Sequence, residues 1–218
     1  MEKNCHKIVC LILAVLFIFP LFVFAQELQP VKLLKPQMDG SKPLMQVLQE
    51  RRSTREFSSE ELPLQTLSDL LWAAFGINRP ESGKRTAPSA VNWQDIDIYV
   101  AMAKGLYLYD AKSHTLLPVL AKDIRASTGK QEFVADAPLN LVYVSDYNKM
   151  GDRPEESKLF YSGANTGFIS QNVYLYCASA GLGTVVRGLV DKEKLAVEMG
   201  LRENQKVVLA QTVGFSKK

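Results

Sequence analysis

The sequence contains little of what most protein-derived catalytic centres require. Its only histidines are His6 and His114, and its three cysteines are Cys5, Cys10 and Cys177. It has no His/Cys cluster with metal-ligand spacing, no Cys–His pair, and no Gly-x-Ser-x-Gly or P-loop motif. If the protein is an enzyme, a bound cofactor is therefore predicted to carry the reaction.

The chain also lacks an excess of charge of either sign. It has 26 Lys and Arg residues against 23 Asp and Glu residues, a formal net charge of +3. A balance this small gives no support for binding to nucleic acid or to an anionic membrane surface. The length of 218 residues and the hydrophobic content of 47% suit a single globular domain.

The N-terminus is predicted to be an export signal covering residues 1–25. Lys3 and Lys7 precede an apolar stretch, Ile8 to Phe24, and Val23 and Ala25 occupy the −3 and −1 positions of a cleavage site. The protein is thus expected to be periplasmic or secreted, with no membrane attachment after cleavage. An uncleaved signal that anchors the protein in a membrane is the alternative.

The remaining sequence divides into a predicted linker at 26–43, rich in proline, and a folded domain at 44–218. Apolar residues three and four apart predict helices, and strict alternation predicts strands. Helices are predicted at 43–51, 63–75, 156–180 and 190–199, and strands at 96–102, 105–110, 139–145 and 207–213. Since strands and helices do not alternate regularly, we predict an α+β sandwich with a mainly antiparallel sheet.

Two features at the end of the long predicted helix argue against a reactive cysteine and against a dinucleotide-binding fold. Cys177 lies in mid-helix among apolar neighbours, so it is predicted to be a buried, inert thiol. Gly181-Leu182-Gly183 follows a helix instead of a strand, which excludes a Rossmann dinucleotide fingerprint.

The most informative polar segment is Arg51-Arg52-Ser53-Thr54-Arg55. In an extended chain the period of two places Arg51, Ser53 and Arg55 on one face. Two guanidinium groups around a hydroxyl, with Arg52 beside them, suit a phosphate dianion. The alternative is a solvated basic turn.

Four segments, in order, resemble the nitroreductase family of FMN-dependent oxidoreductases. They are Arg51-Arg52-Ser53-x-Arg55, Pro88-Ser89-Ala90-x-Asn92-x-Gln94, Cys177 to Gly188, and the last strand with Gly214-Phe215-Ser216-Lys217. The resemblance extends from about Met45 to Lys218. It implies a three-layer sandwich, with helices flanking the sheet, and an intertwined homodimer with FMN at the interface.

The resemblance also implies roles for individual residues. It assigns Arg51, Arg52, Ser53, Arg55 and Lys217 to the FMN phosphate, the amides of Val186, Arg187 and Gly188 to the flavin N5 and carbonyl edge, and Pro88, Ser89 and Asn92 to the flavin of the partner subunit. Hydride is expected to pass from a reduced donor through flavin N5 to a small organic acceptor, in a ping-pong cycle. No metal is implied.

This chain departs from the family pattern in two ways. Arg187 stands where the family often has an acidic residue, and a cation above N5 would attract anionic substrates. The export signal places the protein where NAD(P)H is scarce, so a quinone or a protein partner is an alternative donor.

Two further interpretations remain open from the sequence. Arg85 to Ala90, together with Gly105 to Asp110, is similar to the dehydrogenases of thiazole/oxazole-forming peptide-modification systems. A flavin-binding or flavin-scavenging protein without turnover, and a structural protein without flavin, are the alternatives to an enzyme.

Overall fold

The computed structural model describes residues 27–39 and 42–217, so the predicted signal at 1–25 lies outside the described residues. The helices are α1 (Leu44–Glu50), α2 (Leu64–Phe75), α3 (Phe133–Asp136), α4 (Glu155–Ala180) and α5 (Lys192–Glu198). The strands are β1 (Val31–Lys32), β2 (Ile77–Arg79), β3 (Lys84–Arg85), β4 (Ile96–Met102), β5 (Gly105–Asp110), β6 (Thr115–Leu120), β7 (Leu139–Asp146), β8 (Gly183–Arg187) and β9 (Gln205–Gly214).

A seven-stranded sheet in the order β1-β6-β5-β4-β7-β9-β8 organises the domain, and neighbouring strands in it are antiparallel. β7 is central and all eight of its residues are buried. Strands covered on both faces read as continuous apolar runs, which is why the sequence from Leu139 onward predicts an interior strand.

Successive residues of the central strands face two different cores. On β4, Ile98 and Val100 pack with α2 and α4, whereas Tyr99 and Ala101 pack with α5 on the other face. The sheet therefore lies between two helical layers, which confirms the predicted α+β sandwich with a mainly antiparallel sheet and flanking helices.

The bounds of the long helices follow local signals. α2 begins after Pro63 and ends at Gly76, and α4 ends at Gly181, whose φ of 70° is left-handed. A left-handed residue at this position favours glycine, because a Cβ would clash with the backbone. Cys177 is buried with 0% exposure, which confirms the predicted burial, and burial raises the pKa of its thiol, which disfavours the reactive thiolate.

Two elements differ from the predictions. The predicted linker at 26–43 carries β1, whose Val31 pairs with Leu116 of β6, and the neighbouring Leu33 is buried against the core. The segment after Gly181, predicted only as the end of a helix, forms the edge strand β8. Both strands are too short for an alternating pattern to identify them. They form because each pairs with a strand distant in sequence, which a local pattern does not record.

Neither a membrane span nor a metal site is found in the described ranges. In 27–39 and 42–217, no helix has the length and apolar character needed to cross a membrane. The same ranges contain no group of three or more His, Cys, Asp or Glu side chains placed to bind a metal ion.

Candidate functional site

The basic segment leaves the end of α1 in extended conformation and lies along the edge of the sheet. Its Thr54 amide donates a hydrogen bond of 2.9 Å to the Thr184 carbonyl of β8. This bond occupies the outer side of the edge strand, whose backbone groups would otherwise be unpaired. Arg52, Ser53 and Arg55 are exposed, so the cations of the predicted phosphate site face solvent beside β8.

The C-terminal residues return to this segment. Phe57 and Ser216 form an antiparallel bridge, and the Lys217 amide donates to the Glu56 carbonyl at 3.2 Å. Lys217 therefore lies beside the residue that follows Arg55. The structure thus brings Lys217 next to the end of the basic segment at Arg55, although the two residues are far apart in sequence.

Gly183 allows three segments to meet. A Cβ added to Gly183 would lie 2.9 Å from Ser216 Oγ and 3.0 Å from Thr54 Cγ2. Contacts this short would force the Ser216 and Thr54 side chains to shift. The close approach of these two segments to β8 therefore favours glycine at position 183.

The three predicted ring-facing amides have different environments. The Val186 amide donates to Tyr174 Oη at 3.0 Å, so it is already used within the chain. Arg187 pairs with Ala210, and its backbone faces β9 because successive residues of an edge strand alternate in direction. Gly188 is exposed, and among the described residues none accepts a hydrogen bond from its amide.

Tyr174 joins two of the predicted binding segments, and sequence reasoning missed it. Its hydroxyl lies 2.9 Å from Ser53 Oγ and 3.0 Å from the Val186 amide, and the Arg51 guanidinium lies 5.2 Å from its ring centre. A tyrosine on the buried stripe of a helix is a weak signal, because most such residues only fill the core.

The Arg187 side chain is buried, which corrects the hypothesis that it attracts anionic substrates. Arg187 is 4% exposed, and its guanidinium donates to the Thr128 carbonyl at 2.7 Å, Asn140 Oδ1 at 3.0 Å and Thr212 Oγ1 at 3.1 Å. Burial lowers the Arg187 pKa to about 10. The side chain turns inward because its neighbours on the strand direct theirs to the opposite face.

The loop that carries Pro88, Ser89 and Asn92 adopts a strained conformation. Asn92 has a φ of 58° and Val91 a φ of 51°, a region that β-branched residues rarely enter. Bonds from the Ala90 amide to Asn165 Oδ1 at 3.0 Å and from the Gln94 amide to Ser89 Oγ at 2.8 Å hold it. In this conformation the Val91 side chain lies on the surface, and Val91 is 75% exposed.

This loop is separate from the basic segment within one chain. The loop contacts α4 at Asn165, and the basic segment contacts α4 at Tyr174. Nine residues of helix separate these positions by about 14 Å, on opposite sides of the helix. One chain thus brings the basic segment, β8 and Lys217 together, but not Pro88, Ser89 and Asn92.

Asp95 anchors the loop from beneath. It is fully buried and accepts hydrogen bonds from Asn165 Nδ2 at 2.6 Å and from Ser145 Oγ at 2.8 Å. Burial raises the pKa of the Asp95 carboxyl, and the hydrogen bonds from Ser145 and Asn165 oppose that rise.

The raised pKa predicts a pH-dependent difference between the wild type and Asp95→Asn. The folded state keeps the Asp95 proton above about pH 3.9, where the unfolded chain has lost it. The free energy of unfolding of the wild type, minus that of the variant, should therefore fall as pH rises through this window and then level off.

Urea unfolding at a series of pH values from about 4 to 8 measures this difference. Glu198→Gln is the control, because a hydrogen bond from Lys122 lowers the pKa of Glu198. Its contribution is lost on acidification, so the slope should have the opposite sign. A wild-type minus Asp95→Asn difference that is constant with pH would contradict the prediction.

Comparison with known proteins identifies the family. Residues 48–215 match the sequence model of the Nitroreductase family. A nitroreductase-family protein of Methanocaldococcus jannaschii is 34% identical over 155 residues, which cover 66% of this chain and 78% of that protein.

The chain belongs to the nitroreductase family. The matched nitroreductase region contains the basic segment, the loop at 88–94 and β8, and it ends just before Lys217. This assignment confirms the resemblance that the four segments suggested.

Solved structures agree with the nitroreductase assignment. A nitroreductase-family structure from Ralstonia eutropha has a TM-score of 0.83 and 46% identity, over 87% of this chain and 90% of that chain. Two others share the fold at lower identity. One is in the microcin synthetase McbBCD complex of E. coli (TM-score 0.69, 21% identity, 78% of this chain, 70% of that chain). The other, from Desulfovibrio desulfuricans, is in complex with FMN (TM-score 0.60, 20% identity, 82% of this chain, 89% of that chain).

Proposed function

We propose that this nitroreductase-family protein is an FMN-dependent oxidoreductase. In this proposal it transfers hydride from a reduced donor, NAD(P)H or another, to a small organic acceptor such as a nitroaromatic or a quinone, in a ping-pong cycle. The observation that carries the proposal is the meeting of exposed cations from the basic segment and from the C-terminal segment beside the edge strand β8.

The residues at this edge of the sheet fit the phosphate of FMN. Arg52, Ser53 and Arg55 are exposed on an extended segment, and Lys217 lies beside it. Guanidinium groups and a hydroxyl are the donors that a phosphate dianion accepts most strongly. Arg51 adds a further cation at the start of the segment, over the Tyr174 ring.

Of the three amides that the sequence assigned to the flavin ring, the structure supports one. Among the three predicted amides, that of the exposed Gly188 has no acceptor among the described residues, whereas Val186 donates to Tyr174 and Arg187 faces β9. The Gly188 amide would hold the polar edge of a flavin. FMN, when bound, would supply the two-electron redox chemistry that this chain's own side chains lack.

We also propose the homodimer that the resemblance implies. Pro88, Ser89 and Asn92 lie far from the basic segment of their own chain, so only a second copy can bring them to it. The exposed apolar residues Val91, Leu159, Phe160 and Phe168 form a surface on and beside α4, where Gly163 and Gly167 leave open space. Exposed apolar surface of this kind favours a protein interface.

The cellular setting remains a proposal. Export through the signal at 1–25, or anchoring by an uncleaved signal, would separate the protein from cytoplasmic NAD(P)H. A quinone or a protein partner is then the alternative donor. Membership of the subgroup similar to thiazole/oxazole-forming dehydrogenases also remains a prediction.

One preparation tests the proposed function. The purified protein is expected to be yellow, to show the absorbance of bound FMN, and to have the mass of a dimer in solution. Anaerobic addition of NADH or NADPH, separately, should bleach the flavin if either is the donor. Flavin that neither nucleotide reduces, but a quinol does, supports the alternative donor.

Two outcomes would contradict the proposal. Bound flavin that no tested donor reduces would favour a flavin-binding protein without turnover. Failure to bind FMN even when it is added in excess would leave no basis for a flavin enzyme.

A further inference from the structure

We infer that Tyr174 is a positioning residue that turns the Ser53 hydroxyl toward the phosphate and so sets a preference for phosphorylated flavin. The inference rests on the proposed function and deepens it. It concerns a side chain that the family resemblance did not assign.

The geometry places Tyr174 between two segments of the site. Its side chain projects from α4 and is 8% exposed. Its hydroxyl oxygen lies 3.0 Å from the Val186 amide nitrogen on one side and 2.9 Å from Ser53 Oγ on the other. Tyr174 thus links the edge strand to the phosphate segment through two short bonds.

The direction of these bonds follows from the donor inventory. A backbone N–H can only donate, so Tyr174 Oη accepts from Val186. A tyrosine hydroxyl has one hydrogen, and among the described residues Ser53 Oγ is the acceptor placed to receive it. We therefore assign Tyr174 as the donor to Ser53, the direction that gives the Tyr174 hydrogen an acceptor.

This direction leaves the Ser53 proton free. Ser53 is exposed, and Arg52 and Arg55 flank it on the same segment. Its own O–H can then donate to an acceptor in front of the segment, such as a phosphate oxygen. The chain from the Val186 N–H through two hydroxyls is polarised in one direction, which strengthens the last donor.

The Arg51 contact allows a clean variant. The Arg51 guanidinium lies 5.2 Å from the centre of the Tyr174 ring, a cation–π geometry. Tyr174→Phe keeps the ring beneath Arg51 and removes only the hydroxyl. The effect of the hydrogen-bond chain is thereby separated from the packing of the ring.

The test compares the dissociation constants of FMN and riboflavin, which differ by the phosphate. In Tyr174→Phe the ratio of the riboflavin constant to the FMN constant should fall roughly tenfold, because a hydrogen bond to a charged group is lost or weakened. Any change in the ring site through Val186 affects both flavins and cancels in the ratio.

Two further variants complete the test. Tyr176→Phe is the matched control, since Tyr176 is on the same helix and its hydroxyl donates to the Thr66 carbonyl at 3.2 Å. Its ratio should equal that of the wild type. Ser53→Ala removes the last donor and should lower the ratio as Tyr174→Phe does, with no further fall in the double variant.

The outcomes separate the inference from the proposed function. A reduced ratio in Tyr174→Phe and Ser53→Ala, restored in Ser53→Thr, supports the inference. A Tyr174→Phe protein that loses affinity for both flavins equally overturns it and leaves the proposed function intact. If Tyr174→Phe does not fold, an unchanged ratio in Ser53→Ala overturns it instead. A wild type that binds neither flavin overturns both.

Discussion

The double substitution Arg51→Ala and Arg55→Ala is expected to weaken FMN binding at least a hundredfold. Each lost hydrogen bond between a guanidinium and a phosphate costs about 1.5–3 kcal/mol, and every 1.4 kcal/mol is tenfold in affinity. Both residues lie on the extended segment beside β8, where Arg55 is exposed and Arg51 is half-buried over the Tyr174 ring. Titration of the apoprotein with FMN, followed by flavin fluorescence, measures the change.

A matched control removes the same charge elsewhere. Lys35 and Lys112 are exposed at the opposite end of the sheet, near β1 and the turn after β5. Their double alanine variant should bind FMN almost as the wild type does, since an effect of net charge alone is screened. Equal losses in the two double variants would favour the solvated basic turn over a phosphate site.

Arg187→Met is expected to lower the free energy of unfolding by about 2–4 kcal/mol, because buried acceptors lose their donors. The fully buried Thr128 carbonyl accepts from the guanidinium at 2.7 Å, and Asn140 Oδ1 accepts from it at 3.0 Å but also from Thr212 Oγ1 at 2.6 Å. Methionine fills much of the volume. It also avoids the cost of burying a cation, the cost that lowers the pKa of Arg187 in the wild type. We expect the unpaired Thr128 carbonyl to outweigh that gain, since Thr128 is fully buried.

Urea unfolding of the protein without flavin measures the Arg187 effect. Arg202→Met is the comparison, because the Arg202 side chain is 58% exposed and its ion pair with Asp146 should contribute less than about 1 kcal/mol. Equal destabilisation by the two substitutions would contradict the buried network. So would a variant with unchanged stability whose substrate preference shifts away from anions.

The sequence by itself determined the architecture around the site. An apolar stripe and a terminal glycine located α2, because the burial of one helical face imposes a period of 3.6 residues. Apolar residues three and four apart also located α4, but their stripe is not its buried face: Phe160 and Phe168 are exposed, and the buried face is partly polar. The continuous apolar run from Leu139 located the central strand. The order of the four motifs predicted the family, because the residue types of a binding segment are determined by its ligand and can be recognised locally.

Only the tertiary structure decided which groups are available to a ligand. Whether an amide of β8 faces β9, Tyr174 or solvent depends on strand register, which is set by pairing with residues distant in sequence. The same register turns the Arg187 cation inward. Tyr174 acquires its role from Ser53, 121 residues away, and no local pattern encodes a contact over that separation. Local periodicity determines which face is buried, whereas the partners of each polar group arise from the packing of the whole chain.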